Sequence, residues 1–231
     1  MNKPAASIDH LVVCAANLDA GVAWCEATLG VTPGPGGEHP LMGTHNRLLR
    51  LATDHFPTTY LELVAINPIA PQPTPARAGR WFDLDSPALQ AALAHEGPRL
   101  VHFVASVPAI DTALKTLTAL GLDRGPALAA SRQTPRGLLQ WQISVRDDGQ
   151  RLLDGCRPTL IEWGDTHPAG AMPESGVTLQ ALTLIHPRAA DLRAACDALG
   201  LQGVVIKEGP ANLLATLRTP RGTVVLESNG L

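Results

Sequence analysis

The sequence has little charge of either sign and no apolar run long enough for a bilayer. Of its 231 residues 17% are charged, with 18 Lys+Arg against 21 Asp+Glu and a formal net charge of −3. A chain so near neutrality is not expected to bind nucleic acid, whose partners carry an excess of Lys and Arg. No stretch approaches the ~18 consecutive apolar residues of a membrane-spanning helix, and no apolar segment precedes Asp9 and His10 to suggest a secretory signal. The four cysteines, Cys14, Cys25, Cys156 and Cys196, show no CxxC or finger-like spacing; such thiols suit a reducing cytoplasm as small buried hydrophobes. No GxSxG elbow supports a serine hydrolase. The glycine-rich run Gly34, Gly36, Gly37 has neither a GxGxxG pattern nor a following Lys for phosphate. Aromatic residues make up only 3%, which argues against a pocket built for large aromatic ligands. What is left is a cytoplasmic globular protein, 45% hydrophobic, with enough length for a substantial core.

What the chain does have is internal repetition. Three apolar strands, Ile8–Val13, Leu100–Ala105 and Leu179–Ile185, each lead into an amphipathic helix that ends in Leu-Gly. His10 lies 20 residues before Gly30, His102 lies 19 before Gly121 and Gln180 lies 20 before Gly200, so the three hold equivalent places in their strands. Thr134-Pro135-Arg136-Gly137 and Thr219-Pro220-Arg221-Gly222 are matching turns that each open a further strand, and Arg136 and Arg221 are read as turn residues. Each unit reads β-α-β-β-β. The expectation is an α+β protein of repeated βαβββ modules with mixed sheets and helices on the outer face. The modules fall at about 7–67 and 99–165, joined by a connector at 68–98 with a short helix from Pro87 to His95, within a domain spanning 5–170. A third βαβββ-like module fills 176–231.

The candidate chemistry sits where polar side chains interrupt apolar strands. In Thr59–Ile66 the alternation of a strand puts Tyr60, Glu62, Val64 and Ile66 on one face. Glu162 is a second lone carboxylate in an apolar strand, and the opening strands carry His10 and His102. A carboxylate buried in such a strand needs water, a cation or a metal to offset several kcal/mol of desolvation. Two histidines and two glutamates suit a divalent ion (Zn, Ni, Co, Mn or Fe(II)) with open positions left for substrate oxygens. His45 and Asn46 follow the glycine-rich loop and are candidates to line a pocket, beside the plainer reading as ordered turn residues. Arg132 and Trp141 are candidates to bind a carboxylate and a ring.

The repeat, Asp9-His10 on the opening strand and Tyr60-Leu61-Glu62-Leu63 on the closing one resemble the vicinal oxygen chelate superfamily. That superfamily includes glyoxalases, extradiol dioxygenases and bleomycin-resistance proteins. Gly43-Thr44-His45-Asn46, the stretch from Ser131-Arg132 to Gln140-Trp141, and Ile161-Glu162-Trp163-Gly164-Asp165 with His167-Pro168 look most like its glyoxalase-like domains. The resemblance, over about 7–170, implies two βαβββ modules forming a half-open barrel with a metal on its concave face. It implies His10, Glu62, His102 and Glu162 as ligands, with Glu162 leaving the metal to act as general base. The implied activity is that of a metal-dependent lyase or isomerase acting on a small oxygen-chelating substrate through an enediolate-type intermediate. Two alternatives stand beside it. One is an Fe(II) dioxygenase held by two histidines and one glutamate. The other is a metal-free small-molecule binding protein whose concave sheet is lined by Trp141, Tyr60 and Arg132. Sheets of this kind often pair across a homodimer, although a third module in the same chain offers another way to complete the barrel.

Overall fold

The opening strand of the first repeat, β1 (Ser7–Cys14), runs into α1 (Leu18–Leu29). In this computed structural model, which describes residues 6–70, 79–134 and 137–230, the local reasons are visible. Asn17 is extended and its side chain accepts the Ala20 N–H, while Gly30 closes the helix at φ 77°, a left-handed conformation natural to glycine. Three strands follow: β2 (Glu38–His39), β3 (Thr44–Arg50) and β4 (Tyr60–Ile66). β4 returns parallel to β1, setting Tyr60 opposite His10 and Glu62 opposite Val12. Among its described residues the connector contributes a 3-10 turn (Trp81–Asp83) and α2 (Pro87–His95), whose first turn is capped by Ser86.

The second repeat has the same plan: β5 (Arg99–Ser106), α3 (Ile110–Ala119), β6 (Ala127–Thr134), β7 (Gly137–Ser144) and β8 (Thr159–Trp163), with β8 parallel to β5. Pro135 and Arg136 of the expected turn lie outside the described residues. Antiparallel pairing of β1 with β5 joins the repeats into one eight-stranded sheet, ordered β2-β3-β4-β1-β5-β8-β7-β6. His10 pairs with Val104 and Val12 with His102. The pairing is unchanged when the two repeats are exchanged, so His10 and His102 are true counterparts, as are Val12 and Val104.

The sheet curls. Its concave face gathers Val12, Val64, Val104, Ile143 and Ile161 around Trp81, Phe82 and the inner side of α2. Its convex face packs Leu11, Leu63, Phe103 and Leu160 against Cys25 and Leu29 of α1 and Ile110 and Leu117 of α3. The same convex core takes in the last part of the chain, β9 (Thr178–Ile185), α4 (Ala189–Leu199), β10 (Val204–Lys207), β11 (Asn212–Thr219) and β12 (Gly222–Glu227).

This third repeat keeps the element order and changes the sheet. Its opening strand β9 lies between β10, to which it is parallel, and β11, in the order β10-β9-β11-β12. In the first two repeats the opening strand lies beside the closing one. The barrel is therefore built from repeats one and two, and the third covers its outside. The four cysteines are buried and free, and burial pushes the Cys14, Cys25 and Cys196 thiols up to about 12. No helix among the described residues is long and apolar enough to cross a membrane.

Candidate active site

The concave face holds one imidazole between two carboxylates. A register shift in β1 between Ile8 and His10 brings both Asp9 and His10 into the buried interior. Asp9 Oδ1 lies 2.6 Å from His10 Nδ1, and Asp9 Oδ2 accepts from Trp163 Nε1 at 2.8 Å and contacts His167 Nε2 at 3.0 Å. Burial by itself would raise the Asp9 pKa, but the hydrogen bonds from His10 and His167 outweigh it and hold the carboxyl down to about 2. Asp9 is thus an anion at neutral pH, and Nδ1 of His10 must carry the proton it accepts. The Tyr60 ring stacks on His10 at 4.7 Å and fixes its plane.

Glu62, one strand over, turns its carboxylate to the same cavity. Its Oε1 accepts from Asn46 Nδ2 at 2.6 Å and its Oε2 lies 3.5 Å from His10 Nε2. Asn46 is oriented in turn, since its Oδ1 accepts the Gly37 N–H at 2.7 Å. His39 approaches from the short edge strand, 3.7 Å from Glu62 Oε1 and 3.3 Å from Asn46 Nδ2, with Nδ1 3.1 Å from Thr44 Oγ1. Burial pushes the His39 pKa down to about 4, against the pull of Glu62, so the ring is neutral at physiological pH.

From the far side of the barrel come Arg132 on β6 and Leu139 and Trp141 on β7. The Arg132 guanidinium crosses the open edge to lie over Gly37, where a Cβ would stand 1.8 Å from its Nη1. The polar cavity, about 40 Å³, shares the walls His39, Trp81, Trp141 and Ile143 with a larger cleft of about 440 Å³ beside it.

Five of the residues expected from sequence meet here: His10, Glu62, Asn46, Arg132 and Trp141. Three do not. His45 alternates with Asn46 and sits on the other face of β3, with Glu38, Arg47 and Asp19 as its charged neighbours. Glu162 pairs across β7 with Gln142, on the face opposite Ile161 and Trp163, and its Oε2 accepts the Ile110 N–H of α3 at 2.7 Å. It caps a helix outside the barrel.

His102 faces inward, but Phe82 and Trp81 wall it off in a separate small cavity with Arg124 and Thr159. Both its nitrogens are taken: Nδ1 bonds the Gly155 carbonyl at 2.9 Å and Nε2 accepts the Thr159 N–H at 3.1 Å. Burial drives its pKa well below the usual value.

The register gives the reason. Val104 pairs with Thr159 as its counterpart Val12 pairs with Glu62. The second repeat therefore offers a threonine, not Glu162, in the place of Glu62. Arg124, a buried cation that donates to Thr159 Oγ1, occupies that half of the barrel.

The expected four-ligand metal site does not fit this arrangement. Two of its members never reach the cavity that holds the other two. His39 is no ready substitute, because Glu62 Oε1, the oxygen it approaches at 3.7 Å, already accepts from Asn46 Nδ2. Among the described residues no three His, Cys, Asp or Glu side chains are placed to hold a metal ion. What the cavity does assemble is an acid–base set: an ionised carboxylate behind an imidazole, a second carboxylate in front of it, and a guanidinium opposite.

Sequence reasoning missed His39 and His167 as site residues. His39 lies in the Pro/Gly-rich loop and His167 in the linker after β8, where no strand periodicity marks a face. The one available signal was a histidine beside a proline in each, His39-Pro40 and His167-Pro168.

The model of the family described as "Glyoxalase-like domain" matches residues 8–200. Among solved structures the chain is similar to a hypothetical protein from Staphylococcus aureus, with 13% identity and a TM-score of 0.57, over 89% of this chain and 87% of that one. It is also similar to methylmalonyl-CoA epimerase from Mycobacterium tuberculosis (15% identity, TM-score 0.39, 71% of this chain and 91% of that one). A variant of the Streptomyces coelicolor epimerase gives 17% identity and a TM-score of 0.39, over 68% and 94%. No curated protein matches.

Proposed function

We propose, for a chain that belongs to the glyoxalase-like domain family of the vicinal oxygen chelate superfamily, an acid–base enzyme that moves a proton at the carbon beside a carbonyl group. This is chemistry of the isomerase or lyase kind on a small oxygen-bearing substrate. The observation that carries it is the Asp9–His10–Glu62 set, one imidazole between two buried carboxylates, with His10 and Glu62 lining a half-open cavity.

The roles follow from what each atom is already doing. Asp9 accepts the Nδ1–H of His10 and supports positive charge on the ring, as a buried aspartate does in a catalytic triad. Nε2–H then points into the cavity and donates to a substrate carbonyl oxygen as negative charge develops on it. Glu62 has Oε1 held by Asn46, which leaves Oε2 to take the proton from the adjacent carbon. The C–H bond breaks, its electron pair forms the carbon–carbon double bond of an enol, and the carbonyl oxygen takes the His10 proton. Return of the two protons completes an isomerisation, and loss of a leaving group from the neighbouring carbon completes an elimination. The base is thus Glu62, the residue that faces the imidazole, in place of Glu162.

The test is deuterium incorporation at C3 of 2-oxobutanoate in D₂O, followed by proton NMR with protein purified without chelators. Glu62→Gln is expected to slow exchange by roughly 10²–10⁴-fold, the usual worth of a positioned base, with the fold intact by circular dichroism. Exchange unaffected by Glu62→Gln overturns the assignment. Exchange that requires a stoichiometric metal, lost on chelation and absent from His10→Ala, replaces it with the metal-dependent reading.

A further inference from the structure

The polar cavity is too small to hold more than a reacting head group, and the cleft that shares its walls has a different chemistry. At about 440 Å³ it has room for roughly fifteen groups of ~30 Å³, the volume of a water molecule. One wall is the edge loop Glu38–Met42 and the other is β6 from Leu128 to Ser131, with Trp81, Trp141 and Ile143 between them. Most of that lining is apolar. Ala129 and Ala130 keep the β6 wall thin, and Leu41 stands 53% exposed beside the opening. Three of the chain's four tryptophans, Trp81, Trp141 and Trp163, line one or both of the cavities, so the aromatic content is concentrated at this one place.

The charge is also placed at one end. Arg132 is half-buried, extends into the polar cavity, and among the described residues forms no ion pair. Its guanidinium lies in the space left by the missing side chain of Gly37. A guanidinium of this kind matches a carboxylate in a two-point hydrogen bond. Along the inner face of β6 the order is Leu128, Ala130, Arg132, so the cation follows directly from the apolar wall.

From these observations we infer that the substrate is a 2-oxo acid with an apolar chain: its carboxylate on Arg132, its 2-oxo oxygen on His10 and its chain in the cleft between the 38–42 loop and β6. This rests on the acid–base reading for the reacting carbon, but the chain and carboxylate subsites stand on their own geometry.

The probes are straight-chain carboxylates from butanoate to dodecanoate, with the Kd measured by tryptophan fluorescence and calorimetry in the Glu62→Gln protein, which removes the proposed base and leaves the cleft. Each added CH₂ is expected to tighten binding about three- to fourfold, the worth of one methylene leaving water, and the longest chain of the series still fits the cleft. Alkyl amines of equal length are expected to bind at least tenfold more weakly. Arg132→Met should weaken all the acids alike and keep the length dependence. Ala130→Trp should flatten the length dependence, and Ala130→Phe serves if the larger ring prevents folding. A flat series in the unplugged protein, a plugged variant with the full length dependence, or amines that bind as well as acids would each overturn the inference. The two proposals fail separately. A length-dependent series with no exchange on any 2-oxo acid refutes the proton-transfer reading alone, and exchange on 2-oxobutanoate with a flat series refutes the substrate class alone.

Discussion

Replacing Glu162 separates the two accounts of this barrel most cleanly. In the four-ligand arrangement Glu162→Ala would remove a metal ligand and the general base, and activity would fall by orders of magnitude. In the structure Glu162 Oε2 accepts the first amide N–H of α3, a helix whose own N-cap residue, Ala109, supplies no side-chain acceptor. The first turn of a helix leaves amide groups unsatisfied. Loss of a cap acceptor costs about 1 kcal/mol, and loss of a carboxylate from the positive end of the helix dipole roughly 0.3–1 kcal/mol more. Glu162→Ala is therefore expected to cost about 1–2 kcal/mol. In a chain of this size that is a fall in Tm of roughly 2–8 °C, at about 2–4 °C per kcal/mol. Glu162→Gln, which keeps an acceptor oxygen and loses only the charge, should cost about half as much. The assays are thermal unfolding by circular dichroism and C3 deuterium exchange on 2-oxobutanoate, run on the same preparations. Exchange per folded molecule is expected to stay within about twofold of the parent protein, since Glu162 is on the far face of the sheet. A tenfold or greater loss of exchange with unchanged Tm would refute the placement of Glu162 outside the site.

Two further outcomes follow from the same geometry. Burial lowers the His39 pKa from 6.5 to about 4, so the folded chain refuses a proton that the unfolded chain accepts. That contribution to stability is complete above pH 6.5 and is lost as pH falls toward 4, by about 3 kcal/mol at 1.36 kcal/mol per pKa unit. Urea unfolding across this window should show the loss, and His39→Gln should remove that part of the slope; an unchanged slope in the variant contradicts the burial of a neutral ring. Gly37→Ala puts a methyl where the Arg132 guanidinium lies. The far end of the arginine can swing away at little cost in stability, so Tm should move by less than about 2 °C while octanoate binding weakens at least tenfold; full binding would show that Arg132 does not hold the carboxylate from this position.

Read without any structure, the chain already defined its modules. Strand alternation put Tyr60, Glu62 and Val64 on one face, and that face is the barrel interior. Gly30 marked the end of α1, and the paired Thr-Pro-Arg-Gly turns marked two hairpins in which Thr134 and Thr219 each donate to the carbonyl of the glycine three residues on. These are local signals, set by the period of a strand and the conformational range of single residues. The carboxylate of the second repeat was misread because alternation gives relative faces within one strand and says nothing of the register between strands. Bulges in the β1–β5 pairing and the match of Val104 with Thr159 decided that Glu162 faces α3. The third repeat shows the same limit at larger scale: the order βαβββ is written in the chain, but the neighbour that the opening strand finds is not. His39 and His167 reach the site from segments with no periodicity at all. Sequence alone determined the repeated modules, their turns and the face shared by Tyr60, Glu62 and Val64, because each depends on neighbours a few residues apart. Only the tertiary structure decided which histidines and carboxylates share one cavity, because that depends on pairing between strands far apart in the chain.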